Sequence, residues 1–187
     1  MIKILNDKQL ILHQGDIIKD VELVENVIEQ DCNITVSKIV FPYIIVLTQD
    51  CDLTWDYNNR NSEKNNQDKY LISTIVAPLY NYDKFLIGEQ LLGIKRKMQV
   101  YGIKENSVTK IIKQNNNPRY HYLEFPVDID IVNSIIDFKH YFSVGTEYLY
   151  SIYKDNFTCR VDILYRELIS QRFANFLSRI GLPEEKQ

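Results

Sequence analysis

Only three cysteines, Cys32, Cys51 and Cys159, occur in 187 residues, an odd number spread too widely for a disulfide framework or a closely spaced pair of zinc ligands. Reduced thiols are the expectation. No stretch approaches the roughly 18 consecutive apolar residues that a membrane span requires, so no membrane association is expected. The opening residues, Met1 to Asp7, lack the basic-then-apolar layout of a secretory signal, and the expected location is the cytoplasm. Internal repeats are absent, and low-complexity sequence is confined to two Asn-rich segments.

What is present suits a folded chain. Hydrophobic residues make up 45% and charged residues 25%, and 13 Tyr with 8 Phe supply the core-formers that disordered chains lack. The length favours one domain over residues 1–187. The net charge of −3 conceals two opposed segments. Asp16, Asp20, Glu22, Glu25, Glu29 and Asp31 face a single Lys19, whereas Lys95, Arg96, Lys97, Lys104, Lys110, Lys113 and Arg119 face only Glu105. Potentials act over about a Debye length, roughly 8–10 Å, so this local asymmetry matters more than the total.

Gly15-Asp16 reads as a turn into a first strand that runs to about Leu23. Period-two alternation predicts a strand over Ile34–Val40, ended by Pro42. The run Tyr43-Ile44-Ile45-Val46-Leu47 predicts a strand buried on both faces. Residues 57–69 offer nothing to bury and read as a polar loop, followed by a strand over Tyr70–Ala77 that Pro78 stops. A short helix is expected over Asp83–Leu92 with Asp83 as N-cap, then a basic insertion over 95–119 that is loop or weak strand. Further strands are expected at Tyr120–Phe125 and Ser134–Val144. Helical spacing of Val161, Leu164, Leu168, Ile169, Phe173, Phe176, Leu177 and Ile180 predicts a C-terminal helix over 161–180, stopped by Gly181 and Pro183. The fold class is therefore α+β, mainly β: a curled sheet with inserted loops, packed by a terminal helix.

Three segments in order resemble the PemK/MazF-like growth-inhibitor (toxin) family: Gly15-Asp16-Ile17-Ile18, Phe41-Pro42-Tyr43-Ile44-Ile45-Val46-Leu47-Thr48 and Thr74-Ile75-Val76-Ala77-Pro78-Leu79. Ser134-Ile135-Ile136-Asp137-Phe138 and the terminal helix fall in the same order. The resemblance implies a small SH3-like barrel in a bacterial toxin–antitoxin or phage-defence setting. It departs from the family where ribonuclease chemistry resides, with Phe41 in place of the catalytic Arg and Tyr80 near the position of its Ser/Thr. Phe cannot stabilise charge on a scissile phosphate. The resemblance therefore implies a binding or accessory module, or an enzyme whose site is rebuilt elsewhere.

Two segments could carry chemistry. Thr48-Gln49-Asp50-Cys51-Asp52 follows the most hydrophobic strand, and continued alternation would put Thr48, Asp50 and Asp52 on one face. Two such carboxylates could hold Mg²⁺ for phosphodiester hydrolysis. Cys51 as nucleophile is disfavoured by the adjacent carboxylates, and an Asx-type turn is the bland alternative. No resident cofactor or metal is expected. Lys95, Arg96, Lys97, Tyr101, Lys110, Lys113 and Arg119, with Tyr120 and Tyr122, suit phosphate contacts and base stacking on RNA or another single strand; a solvated insertion is the alternative. His13, His121 and His140 read as ordinary histidines, and Arg160, Arg166, Arg172 and Arg179 as solvated flanks of the helix. The partners to test are nucleic acid or a protein encoded in the same operon, with a homo-oligomer left open.

Overall fold

The computed structural model describes residues 2–5, 11–63 and 68–179. Along the chain run β1 (Ile4–Leu5), β2 (Asp16–Gln30), β3 (Asn33–Val46), α1 (Asp50–Asn59), β4 (Ser73–Asn81), α2 (Tyr82–Leu86), α3 (Ser107–Lys113), β5 (Tyr120–Leu123), β6 (Ser134–Asp137), β7 (Phe142–Gly145), α4 (Thr146–Asn156), β8 (Phe157–Val161) and α5 (Ile163–Leu177). The strands form one antiparallel sheet in the order β1-β8-β2-β3-β4-β6-β5, with β7 also on β4. It curls into a half-barrel, and the Ile2 N–H donates to Glu124 O at 2.9 Å, tying the residues beside its two end strands together.

Alternation along the central strands divides the core between the two faces of the sheet. Ile17, Ile45 and Ala77 face inward and meet Ile169, Phe173 and Phe176 of α5. Ile18, Ile44 and Val76 face the other way, against Leu53 of α1 and Leu149 and Tyr153 of α4. A third cluster sets Tyr80, Tyr120, Tyr122 and Ile135 against Phe85 of α2 and Ile112 of α3. The run Ile44–Leu47 is buried as its sequence predicts, each residue at 5% exposure or less. No helix among the described residues is long and apolar enough to cross a membrane.

Several elements differ from expectation. β2 runs on to Gln30, and β3 passes through Pro42 instead of ending there, so β2 and β3 form one long hairpin. Its turn is Asp31-Cys32, both left-handed (φ 50° and 61°), as a two-residue type I′ turn requires. Opposite Pro42 stands Asp20, also left-handed at φ 53°, and the ladder skips this pair. β4 starts at Ser73, not Tyr70, and continues through Pro78 to Asn81, because there it exchanges β7 for β6 as neighbour. The expected Ser134–Val144 strand is split into β6 and β7 by a 3-10 turn at Phe138–His140. α2 is shorter than expected and is capped by Asn81, not Asp83. The basic insertion contains α3, closed by a capping box between Asn106 and Thr109.

The largest differences concern helices. α1 occupies Asp50–Asn59, overlapping the polar loop expected over 57–69, of which 64–67 lie outside the described residues. α4 has no counterpart among the expected elements, although Thr146, Leu149 and Tyr153 stand at helical spacing. α5 begins at Ile163, after Val161 has served in β8, and Leu164, Leu168 and Leu177 are exposed. Ile180, Gly181 and Pro183 lie outside the described residues.

α1 is fixed less by its one buried apolar residue, Leu53, than by Asp56. That side chain, fully buried, accepts two bonds from Arg60 at 2.9 Å, one from the Leu71 N–H at 2.7 Å and one from Tyr150 of α4 at 3.2 Å. Asp56→Asn replaces an acceptor-only group by one that cannot serve all four donors. A loss of about 1–2 kcal/mol is expected, measured by urea unfolding, with an unchanged midpoint refuting the anchoring role.

Candidate functional site

The first candidate is the Thr48–Asp52 stretch at the end of β3. Gln49 stands at the N-cap position of α1 without a side-chain capping bond, and Asp50 and Asp52 fall in the first turn, where carboxylates favour the positive end of the helix dipole. The same acids that suggested a site are thus a helix-start signal. On a helix, residues two apart project about 200° from one another, so Asp50 and Asp52 do not share a face as the strand reading required. Among the described residues no group of three or more His, Cys, Asp or Glu could hold a metal ion. Thr48 Oγ1 accepts from the Ile75 N–H at 2.7 Å. Cys51 is exposed, its Sγ 3.7 Å from Gln49 Oε1 and from Asp52 Oδ1.

Asp50 instead joins residues from three parts of the chain. His13 Nδ1 lies 2.7 Å from its Oδ1, the Gln14 N–H donates to the same oxygen at 3.2 Å, and Arg166 of α5 lies 3.3 Å from Oδ2. Although burial pushes the Asp50 carboxyl upward, the His13 hydrogen bond and the charges of His13 and Arg166 hold it below its ordinary value. Next to His13 sits a more deeply buried network. Asp16 accepts from Arg160 Nε at 2.6 Å, from the Tyr153 hydroxyl at 2.8 Å and from the His13 N–H at 2.7 Å. Burial nevertheless raises the Asp16 carboxyl, outweighing Arg160, as expected where desolvation exceeds Coulombic gain. Gly15 (φ 80°) links the two groups, and a Cβ there would come within 3.1 Å of Arg166 Cβ.

His13 and Arg166 therefore pair with Asp50, while Arg160 is buried, so the ordinary-histidine and solvated-flank expectations fail for these three. Arg172 is anchored too, donating to the carbonyl oxygens of Asn115, Asn117 and Tyr120. Nothing in the sequence links positions so far apart. The two carboxylates of the cluster are held by internal partners, which makes it a clamp joining β2, α1, β8 and α5, with the buried Arg166 Nε left without a hydrogen-bond partner among the described residues.

The basic segment is also partly committed. Arg119 makes two bonds to Asp137, at 2.8 and 2.6 Å, which neutralise it. Tyr101 stacks on Phe85 and shares a 3.0 Å hydroxyl contact with Tyr120, and Tyr120 and Tyr122 are buried. These rings are core, not a stacking platform. Lys95, Arg96, Lys97, Lys104, Lys110 and Lys113 remain exposed.

The second candidate is a groove of about 530 Å³ along the middle of β3, a volume within the usual range for ligand sites, ~300–1,000 Å³. β3 pairs with β4 only over Ile44–Val46. The next pairs in that register would set Tyr43 against Leu79 and Pro42 against Tyr80, but Pro42 and Pro78 have no N–H to donate. The strands part there, and Leu79–Asn81 pair with β6 instead. One wall of the groove is consequently the open edge of β3 from Lys38 to Tyr43, which no other strand among the described residues covers. The opposite wall carries Leu79, Tyr80, Leu91, Leu92 and Ile94, with Lys84 beside them. Tyr80 bonds His140 Nδ1 at 3.1 Å, and burial, then the Asp137 charge, push its hydroxyl far above its ordinary value. It stays protonated near neutrality and is no general base.

The fold and the groove define an α+β half-barrel with an uncovered strand edge. Compared with known proteins, the chain matches no family model, no curated protein and no solved structure.

Proposed function

We propose that this chain is a non-catalytic protein-binding module that captures an extended peptide segment along the open edge of β3. The observation that carries this reading is the groove itself, in which the edge of β3 that β2 leaves open, from Lys38 to Tyr43, stands across from a largely apolar wall. Main-chain hydrogen bonds along such an edge supply affinity, and pockets for alternate side chains supply selectivity. Lys84 in the groove is offset by Glu89, and the exposed Lys95, Arg96 and Lys97 directly after its Leu92–Ile94 wall tip the balance toward an acidic segment. A nucleic-acid partner is less well supported, because Tyr101, Tyr120, Tyr122 and Arg119 are engaged internally. The ribonuclease or phosphodiesterase alternative has lost its paired carboxylates. The resemblance to PemK/MazF-like proteins adds the SH3-like family, the bacterial toxin–antitoxin or phage-defence setting and a partner from the same operon as parts of this proposal.

The test sets phage-displayed random peptides against single-stranded RNA and DNA. Selected peptides are expected to be acidic and extended, and Leu92→Asp, at an exposed wall position, weakens them about tenfold or more. Oligonucleotide binding with a steep salt dependence and no selected peptide overturns the proposal. Metal-dependent RNA cleavage lost in Asp50→Ala/Asp52→Ala restores the enzyme alternative.

A further inference from the structure

Beyond Val21 and Phe41 the β2–β3 hairpin leaves the body of the protein, and every residue from Val24 to Lys38 is exposed. Cross-strand pairing puts Val27 beside Val36 and Glu22 beside Val40, so Val24, Val27, Ile34, Val36 and Val40 line one face, each 49–68% exposed. A two-stranded ribbon is marginal by itself in water and a row of exposed β-branched residues invites a partner.

Its two edges are protected unequally. β2 carries Glu22, Glu25 and Glu29, a register shift between Val24 and Asn26, and the left-handed Asp20, all devices that discourage strand addition. On β3, residues Asn33 to Val40 include one charge, Lys38, which is neutralised by Glu22 at 2.5 Å. That edge runs without interruption into the groove.

We infer that the extended segment in the groove is β3 of a second copy of this chain, its ribbon tip entering the groove while the first copy's tip enters the other. The inference rests on the groove reading above and names its partner. Antiparallel pairing about a two-fold axis near Val36 sets Ile34 of one copy opposite Lys38 of the second and Asn33 opposite Ile39, which places each Asp31-Cys32 tip alongside Val40 and Phe41 in the opposite groove. Charge favours the pairing: Glu29 and Asp31 flank the tip, and the receiving side carries Lys84 against Glu89 in the groove, with exposed Lys95, Arg96 and Lys97 following its Ile94 wall. The two β2 strands end up outermost, three strand spacings or about 14 Å apart. That separation exceeds the Debye length of roughly 8–10 Å, so the acidic rows do not repel strongly. The interface is isologous and closes at two copies.

Sedimentation velocity of the full chain over a concentration series tests this, with Ile34→Asp and Val36→Asp as exposed ribbon variants whose fold is checked by circular dichroism. The wild type is expected to pass from monomer to dimer, to dissociate as salt rises, and to dimerise at least about tenfold more weakly in either variant. Leu92→Cys in a Cys51→Ser background then gives a covalent dimer through native, exposed Cys32 with a short bismaleimide linker. Monomer at all concentrations overturns the second copy as occupant; if displayed peptides still bind, the groove reading survives that failure. A dimer unaffected by both ribbon variants, or one in which Cys32 does not cross-link to the thiol introduced by Leu92→Cys, overturns the ribbon-in-groove arrangement.

Discussion

Arg160→Met is expected to destabilise the protein by about 3–5 kcal/mol, because it strands a carboxylate inside the fold. Asp16 has 0% exposure and keeps the Tyr153 hydroxyl and the His13 N–H as its remaining donors once Arg160 is gone. Desolvation already raises the Asp16 carboxyl in the intact protein, so the pair is marginal as a source of stability and costly to break. The double variant Asp16→Leu/Arg160→Met, which replaces the whole pair by apolar volume, should recover most of the loss. In a chain of this size ~3–5 kcal/mol lowers the melting temperature by roughly 6–20 °C. Urea unfolding of the two single variants and the double gives the coupling directly. A loss below about 1 kcal/mol in Arg160→Met would mean that the carboxylate is not buried against that guanidinium.

Acid should weaken the fold through His121. Burial, and then the charge of Arg172, depress this imidazole from 6.5 to about 3 in the folded state, and its Nδ1 has no hydrogen-bond partner among the described residues. Above pH 6.5 neither state binds the proton and the group contributes no slope. Between pH 6.5 and about 3 the unfolded chain is protonated while the folded chain is not, so stability falls as pH falls. The slope is about 1.4 kcal/mol per pH unit, or roughly 2–3 kcal/mol lost by pH 4.5. Asp50, depressed in the folded state, adds a loss of the same sign at lower pH, whereas the raised Asp16 opposes it. The difference between wild type and His121→Leu therefore isolates the histidine. The variant should match or exceed the wild type at pH 4.5, and parallel pH profiles for the two proteins would refute the assignment.

Along the chain, Ile44 to Leu47 needs no coordinates: four consecutive apolar residues, three of them β-branched, fit only a strand covered on both sides. The mainly β class, the terminal helix and the division into acidic and basic segments follow from local composition in the same way. Pro42 and Pro78 mislead because proline reads as the end of a strand. Proline only removes an N–H, and each strand continues where its neighbour changes or withdraws. α1 escapes the sequence pattern because it is held by the buried Asp56, with Asp50 and Asp52 in its first turn, instead of by an apolar stripe, and a polar sequence with one buried leucine resembles a loop.

The pairings that decide the chemistry were set by tertiary structure alone. His13, Asp50 and Arg166, like Asp16 and Arg160, meet only because β2 lies beside β8 and the starts of α1 and α5 converge on the Gly15 turn. Periodicity reports which side of an element faces the core, since burial repeats with the backbone period. It holds no information about which distant charge stands opposite, because that depends on strand order and crossing. Sequence therefore determined where strands and apolar surfaces lie, and the fold decided which acids became clamps, which tyrosines became core and which strand edge stayed open.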